Sequence, residues 1–117
     1  MKVEFKHVML MVKDVQATAK FFAEGLDLEV KVASPGWGEV VAGDTTIAFH
    51  HAPQPPEASA ATILSFHVDD VRAAVAKLEG LGAKLEGDIR EPSFGKVAAM
   101  STPDGHLLSL LQPAKQA

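Results

Sequence analysis

The sequence predicts an α+β fold built from two tandem β-α-β-β-β modules. Three observations predict it. Residues 7–15, His-Val-Met-Leu-Met-Val-Lys-Asp-Val, return in altered form at residues 63–71, Ile-Leu-Ser-Phe-His-Val-Asp-Asp-Val. Each stretch is apolar, closes on Val-x-Asp-Val and runs into a segment whose apolar residues recur at the helical period. Between the halves, residues 52–60 read Ala-Pro-Gln-Pro-Pro-Glu-Ala-Ser-Ala. Proline there removes donors and fixes the backbone, so this segment is expected to be a linker rather than a strand.

The elements follow in order. Residues 4–12 alternate as a strand, with Val8, Leu10 and Val12 on one face and His7, Met9 and Met11 on the other. Asp14 is placed to cap a helix in which Val15, Ala19, Phe22 and Leu26 share one side, and Gly25 suits its end. A second strand is expected over residues 28–32, broken by Ser34-Pro35-Gly36. The spacing predicts a third over 39–42, a turn at Gly43-Asp44, and a fourth over 45–50. Trp37 then belongs to a loop, and Phe94 to the corresponding loop of the second half. After the linker, 63–68 reads as a strand, and Asp69 or Asp70 caps a helix that buries Val71, Val75, Leu78 and Leu81 and stops at Gly82. A short strand over 83–86, a longer one over 95–101, a turn at Pro103-Asp104-Gly105 and a last strand over 106–111 complete the repeat. The tail from Pro113 is expected to fray. The chain is therefore read as one domain over residues 1–117: module 1 over 1–51, a linker over 52–61 and module 2 over 62–112.

Composition narrows the chemistry. The 117 residues carry a net charge of -4, which argues against nucleic-acid binding. No apolar run approaches the roughly 20 residues that a membrane-spanning helix needs. The opening Met-Lys-Val-Glu-Phe-Lys-His has charges where a secretory signal has its apolar stretch, so a cytoplasmic protein is expected. Cysteine is absent, which excludes disulfides, thiolate nucleophiles and Cys-ligated metal. No Ser-His-Asp pattern or phosphate-cradling glycine loop is present, and no catalytic residue is assigned. Asp14, Asp69 and Asp70 read as helix caps and Asp104 as a turn residue. His51 and His106 border a loop and a turn.

Three motifs carry a resemblance: His7-Val-x-Leu-x-Val at the start of the first module, Phe66-His-Val-Asp-Asp at the start of the second, and Pro103-Asp104-Gly105 before the last strand. With the duplicated order, the chain resembles the vicinal oxygen chelate superfamily, the glyoxalase/bleomycin resistance protein/dioxygenase family. The resemblance implies a cup-shaped, barrel-like mixed sheet with the helices outside, made by two modules within one chain or across a homodimer. A homodimer is expected here. It also implies four metal-ligand positions, which fall on His7, Ala48, Ile63 and Ser109. Only His7 is a strong donor, since Ala48 and Ile63 offer no lone pair and a neutral serine is a poor partner for a divalent cation.

The expected function is therefore binding of a small, largely apolar or aromatic molecule without an obligatory metal or other cofactor. Met9, Met11, Ala48, Ile63, Leu107 and Leu111 would form the apolar wall, with His7, Ser65, His67 and Ser109 orienting the ligand and His50 on the same strand face. Trp37 and Phe94 would stand at the mouth. Two alternatives stay open: a metal-dependent lyase or dioxygenase using His7 with His50 or His67, and a non-catalytic dimeric interaction module.

Overall fold

The computed structural model describes residues 1–2, 4–55, 57 and 62–115. The chain divides into two compact units, Met1–Pro56 and Glu57–Ala117. Each has the order β-α-β-β-β, which gives the α+β class expected from the repeat.

In unit 1, β1 (Val8–Val12) leads into α1 (Val15–Leu26), followed by β2 (Glu29–Ala33), β3 (Trp37–Ala42) and β4 (Thr45–His51). The strands form one sheet in the order β1-β4-β3-β2, with β1 parallel to β4 and the other pairs antiparallel. The helical crossover carries the chain from β1 to β2 at the opposite edge, and two antiparallel steps through β3 bring β4 back beside β1 in parallel. Asp14 caps α1 by accepting from Ala17 N at 2.9 Å. The helix buries Val15, Ala19, Phe21, Phe22 and Gly25. Phe22 stacks on Phe49 of β4, with centroids 5.3 Å apart. A Cβ at Gly38 would meet Val15 Cγ1 at 2.8 Å, so only glycine lets the helix sit this close to β3.

Unit 2 repeats the plan with β5 (Ile63–His67), α2 (Val71–Gly80), β6 (Lys84–Arg90), β7 (Gly95–Ser101) and β8 (Leu107–Pro113), in the sheet order β5-β8-β7-β6. Asp70, rather than Asp69, is the cap, accepting from Ala73 N at 3.0 Å. Gln112 Oε1 accepts from Val71 N at 2.9 Å and ties the helix start to β8. Val71, Val75 and Leu78 are buried under the helix, while Leu81 is its half-buried C-cap. The turn after β7 closes through Gly105 N donating to Thr102 O at 2.8 Å, which puts Pro103 at its second position.

Several boundaries differ from the sequence reading, each for a local reason. Strand β1 starts at Val8, not at residue 4: in its register with β4, residues 4 and 5 would fall opposite Gly43 and Asp44, in the turn before β4 begins at Thr45. Helix α1 continues through Gly25 and ends where Asp27 takes the left-handed conformation, φ 56°. Strand β3 begins at Trp37, so this residue is in the sheet and not on a loop. Strand β6 runs to Arg90 across an irregularity that Gly87 admits with φ 78°. Pro113 closes β8 instead of starting a frayed tail, and Ala114 N donates to Phe94 O at 3.0 Å. Residues 116–117, and residues 56 and 58–61 of the expected linker, lie outside the described residues.

Candidate functional site

In each unit the helix packs on one face of the sheet. The register then decides what the other face carries, since directly paired residues point the same way. In unit 1, Leu10 pairs with Phe49 on the helix side. The helix-free face consequently receives Met9 beside Ala48 and Met11 beside His50. Strand β3 adds Trp37 opposite His50, Glu39 opposite Ala48 and Val41 opposite Thr46. Glu29 pairs with Val41 and so joins the same face.

One cluster on this face is organised around a single indole. Trp37 Nε1 donates to Glu39 Oε2 at 2.8 Å, two residues along the same strand. The His7 ring meets Trp37 edge-on at a centroid distance of 5.5 Å. The His50 ring does so at 6.1 Å with the planes nearly perpendicular. Edge-to-face pairs of this kind contribute about 0.5–1.5 kcal/mol each beyond their buried area. His50 Nδ1 is also 2.8 Å from the His51 carbonyl, which fixes that ring. Trp37, His7 and Glu39 are half-buried, Met9 is 49% exposed and Ala48 is fully buried.

Unit 2 places different chemistry on the equivalent face. Ile63 pairs with Leu107, Ser65 with Ser109 and His67 with Leu111. Strand β7 contributes Val97 beside Leu111 and Ala99 beside Ser109, where unit 1 has Trp37 and Glu39. The loop equivalence expected between Trp37 and Phe94 therefore fails: Val97 occupies Trp37's register position, and Phe94 precedes β7 and is 60% exposed. Ser101 Oγ donates to Glu86 Oε2 at 2.9 Å. A half-open cavity of about 280 Å³ lies elsewhere in this unit, at the ends of β7 and β8, among Glu91, Pro92, Lys96, Gln112, Pro113 and Lys115. None of the residues expected to bind ligand lines it.

The residues singled out from sequence thus divide between two faces. His7, Met9, Met11, Trp37, Ala48 and His50 share one face in unit 1; Ile63, Ser65, His67, Leu107, Ser109 and Leu111 share one in unit 2. Glu39 was missed. Its signal was its spacing of two from Trp37, visible only once Trp37 is placed in a strand.

A duplicated β-α-β-β-β chain, with a histidine before its first strand and a helix-free face in each half, defines a class. The chain belongs to the Glyoxalase/Bleomycin resistance protein/Dioxygenase superfamily, whose family model matches residues 4–110. Among solved structures it is similar to a glyoxalase/bleomycin resistance protein from Albidiferax ferrireducens T118, at 22% identity and a TM-score of 0.74, covering 92% of this chain and 96% of that one. It is also similar to a variant of the fosfomycin resistance protein FosX from Listeria monocytogenes, complexed with Mn(II) and 1S,2S-dihydroxypropylphosphonic acid. That match has 18% identity and a TM-score of 0.79, covering 97% of this chain and 93% of that one. A third likeness is to a glyoxalase/bleomycin resistance protein/dioxygenase family enzyme from Burkholderia phytofirmans PsJN, at 17% identity and a TM-score of 0.78, covering 92% and 97%. At these identities the likenesses establish the fold. No curated protein matches the chain.

The four positions at which the family resemblance places metal ligands carry few donor atoms in this chain. A catalytic ion typically keeps three protein ligands. Of the implied positions, unit 1 offers His7 and Ala48, and unit 2 offers Ile63 and Ser109. Two of these four lack any donor atom and one is a neutral hydroxyl. Among the described residues no group of three or more His, Cys, Asp or Glu is placed to hold a metal ion. This donor set does not fit a divalent cation.

Proposed function

We propose that this protein binds a small, largely apolar or aromatic molecule against the helix-free face of unit 1, without an obligatory metal. The observation that carries the reading is the Trp37 cluster. An indole is held by Glu39 and bordered by two imidazoles, on a sheet face that no helix of its unit covers. Met9 and Met11 flank it, and thioether side chains adapt to irregular ligands. An apolar surface with a few fixed polar groups is the usual composition of a small-molecule site. Unit 2 groups the apolar Ile63, Leu107 and Leu111 with Ser65, His67 and Ser109 on its own helix-free face, a second surface proposed to take a small molecule in its own right. Binding itself, rather than turnover, is the proposed activity.

Trp37 is the only tryptophan in the chain, and there is no tyrosine, so its emission reports this face alone. Untagged protein is dialysed against a chelator and titrated with small aromatic compounds. Saturable change in Trp37 emission without added metal is expected. A response that appears only when a divalent ion is restored, together with stoichiometric metal lost in His7→Ala, would contradict the proposal and favour a metal-dependent enzyme. The proposal includes a homodimer, the arrangement that the family resemblance implies. Sedimentation at micromolar concentration should show twice the chain mass; a monomer there would remove this part of the proposal.

A further inference from the structure

We infer that the unit 1 face selects its ligand by charge, taking a planar aromatic cation such as an amidinium or an aromatic ammonium, with Glu39 as the selecting group. The inference rests on the ligand-binding reading above and adds the substrate class. Register places two carboxylates on this face, Glu29 and Glu39, against one lysine, Lys31, which sits at the irregularity of β2 two residues from Glu29 and next to Val32, the partner of Glu39. With histidine counted as neutral, the formal charge there is negative. The corresponding face of unit 2 is mixed, with Lys84, Glu86 and Arg90 paired into it, so the acidity belongs to this face and is not a general consequence of the chain's net charge. Glu39 Oε2 accepts from the indole, and a carboxylate has lone pairs to spare for a second donor on its other oxygen. Holding the carboxylate within hydrogen-bonding distance of the indole edge puts a negative charge and an electron-rich ring face side by side. That pairing suits a flat cation twice over: ion pairing to the carboxylate and cation–π attraction to the ring. An anionic ligand would be repelled by the Glu39 carboxylate.

Three near-isosteric probes separate charge from shape: benzamidine, benzamide and benzoate, each titrated against untagged protein in low salt with Trp37 emission as the signal. Benzamidine should bind about tenfold more tightly than benzamide, with benzoate the weakest. In Glu39→Gln the amide oxygen can still accept from the indole, so the signal should persist while the preference falls toward unity. Rising salt should weaken benzamidine and leave benzamide unchanged in the unaltered protein, a check that needs no variant. Equal affinity for all three probes, tighter binding of benzoate, or a preference retained in Glu39→Gln would overturn charge selection and leave the binding reading standing. No saturable change from any probe would overturn the binding reading itself.

Discussion

Trp37 is fixed at both its backbone and its ring. Ser34 Oγ donates to Trp37 O at 2.9 Å and accepts from Trp37 N at 3.2 Å, which closes the loop between β2 and β3 and starts β3 at the tryptophan. The indole is then held by Glu39. Trp37→Ala should reduce affinity for an aromatic ligand about tenfold or more by calorimetry, the loss of one stacking surface. Its circular dichroism should stay unchanged because the side chain lies opposite the helix. A variant with unaltered affinity would show that the cluster is structural only. On the helix side the consequence is reversed. Phe22 and Phe49 are both fully buried, and Phe22→Ala should cost about 3–5 kcal/mol in denaturant unfolding.

At the scale of elements, caps and close approaches hold the helices to their sheets. Asp14→Ala and Asp70→Ala each remove one side-chain acceptor at a helix start, at a cost of about 1 kcal/mol apiece. Gly38→Ala forces a Cβ against Val15 and should destabilise by about 1–3 kcal/mol. Gly36→Ala, with nothing within 4 Å of the added atom, is the matched control and should be nearly neutral in the same thermal melts. Asp14 was legible as a cap because Asp before an apolar helical pattern has a direct physical reason to be there, while the second cap was narrowed only to Asp69 or Asp70 and Asp70 takes the role. Strand starts were less legible. Periodicity alone extends β1 back to residue 4, but a strand needs a partner, and the turn at Gly43-Asp44, distant in the chain, leaves residues 4 and 5 with none in β4. The same kind of miss hid Glu39: a Pro-Gly break suggests a loop around Trp37, and only its pairing with His50 of β4 reveals that the strand has already begun.

Across the whole molecule, one plan has been used twice and given two surfaces. The helix sides of the units remain alike, with Val15 and Val71 following the caps and Leu10 and Phe66 at equivalent positions on the helix side. The other sides have diverged, to Trp37, Glu39 and His50 in unit 1 and to Val97, Ala99 and Leu111 in unit 2. Repetition makes the fold readable because burial constrains one side of every strand. The helix-free sides answer to no such constraint, which is why the candidate residues could be grouped from alternation while their chemistry had to await the register. The divergence also fixes where a ligand should be felt. Compounds that bind by this cluster should perturb unit 1 residues on its helix-free face and spare the α2 side of unit 2.

The most direct measurement is a ¹H–¹⁵N correlation spectrum followed through a titration with benzamidine in the absence of metal. The lone indole N–H gives one resolved side-chain signal, and its donor bond to Glu39 makes it sensitive to anything that approaches the carboxylate. Saturable movement of that signal, with Met9, Glu39 and His50 amides moving alongside, is expected. An indole signal that stays in place while residues elsewhere in the chain shift would contradict a binding site on this face.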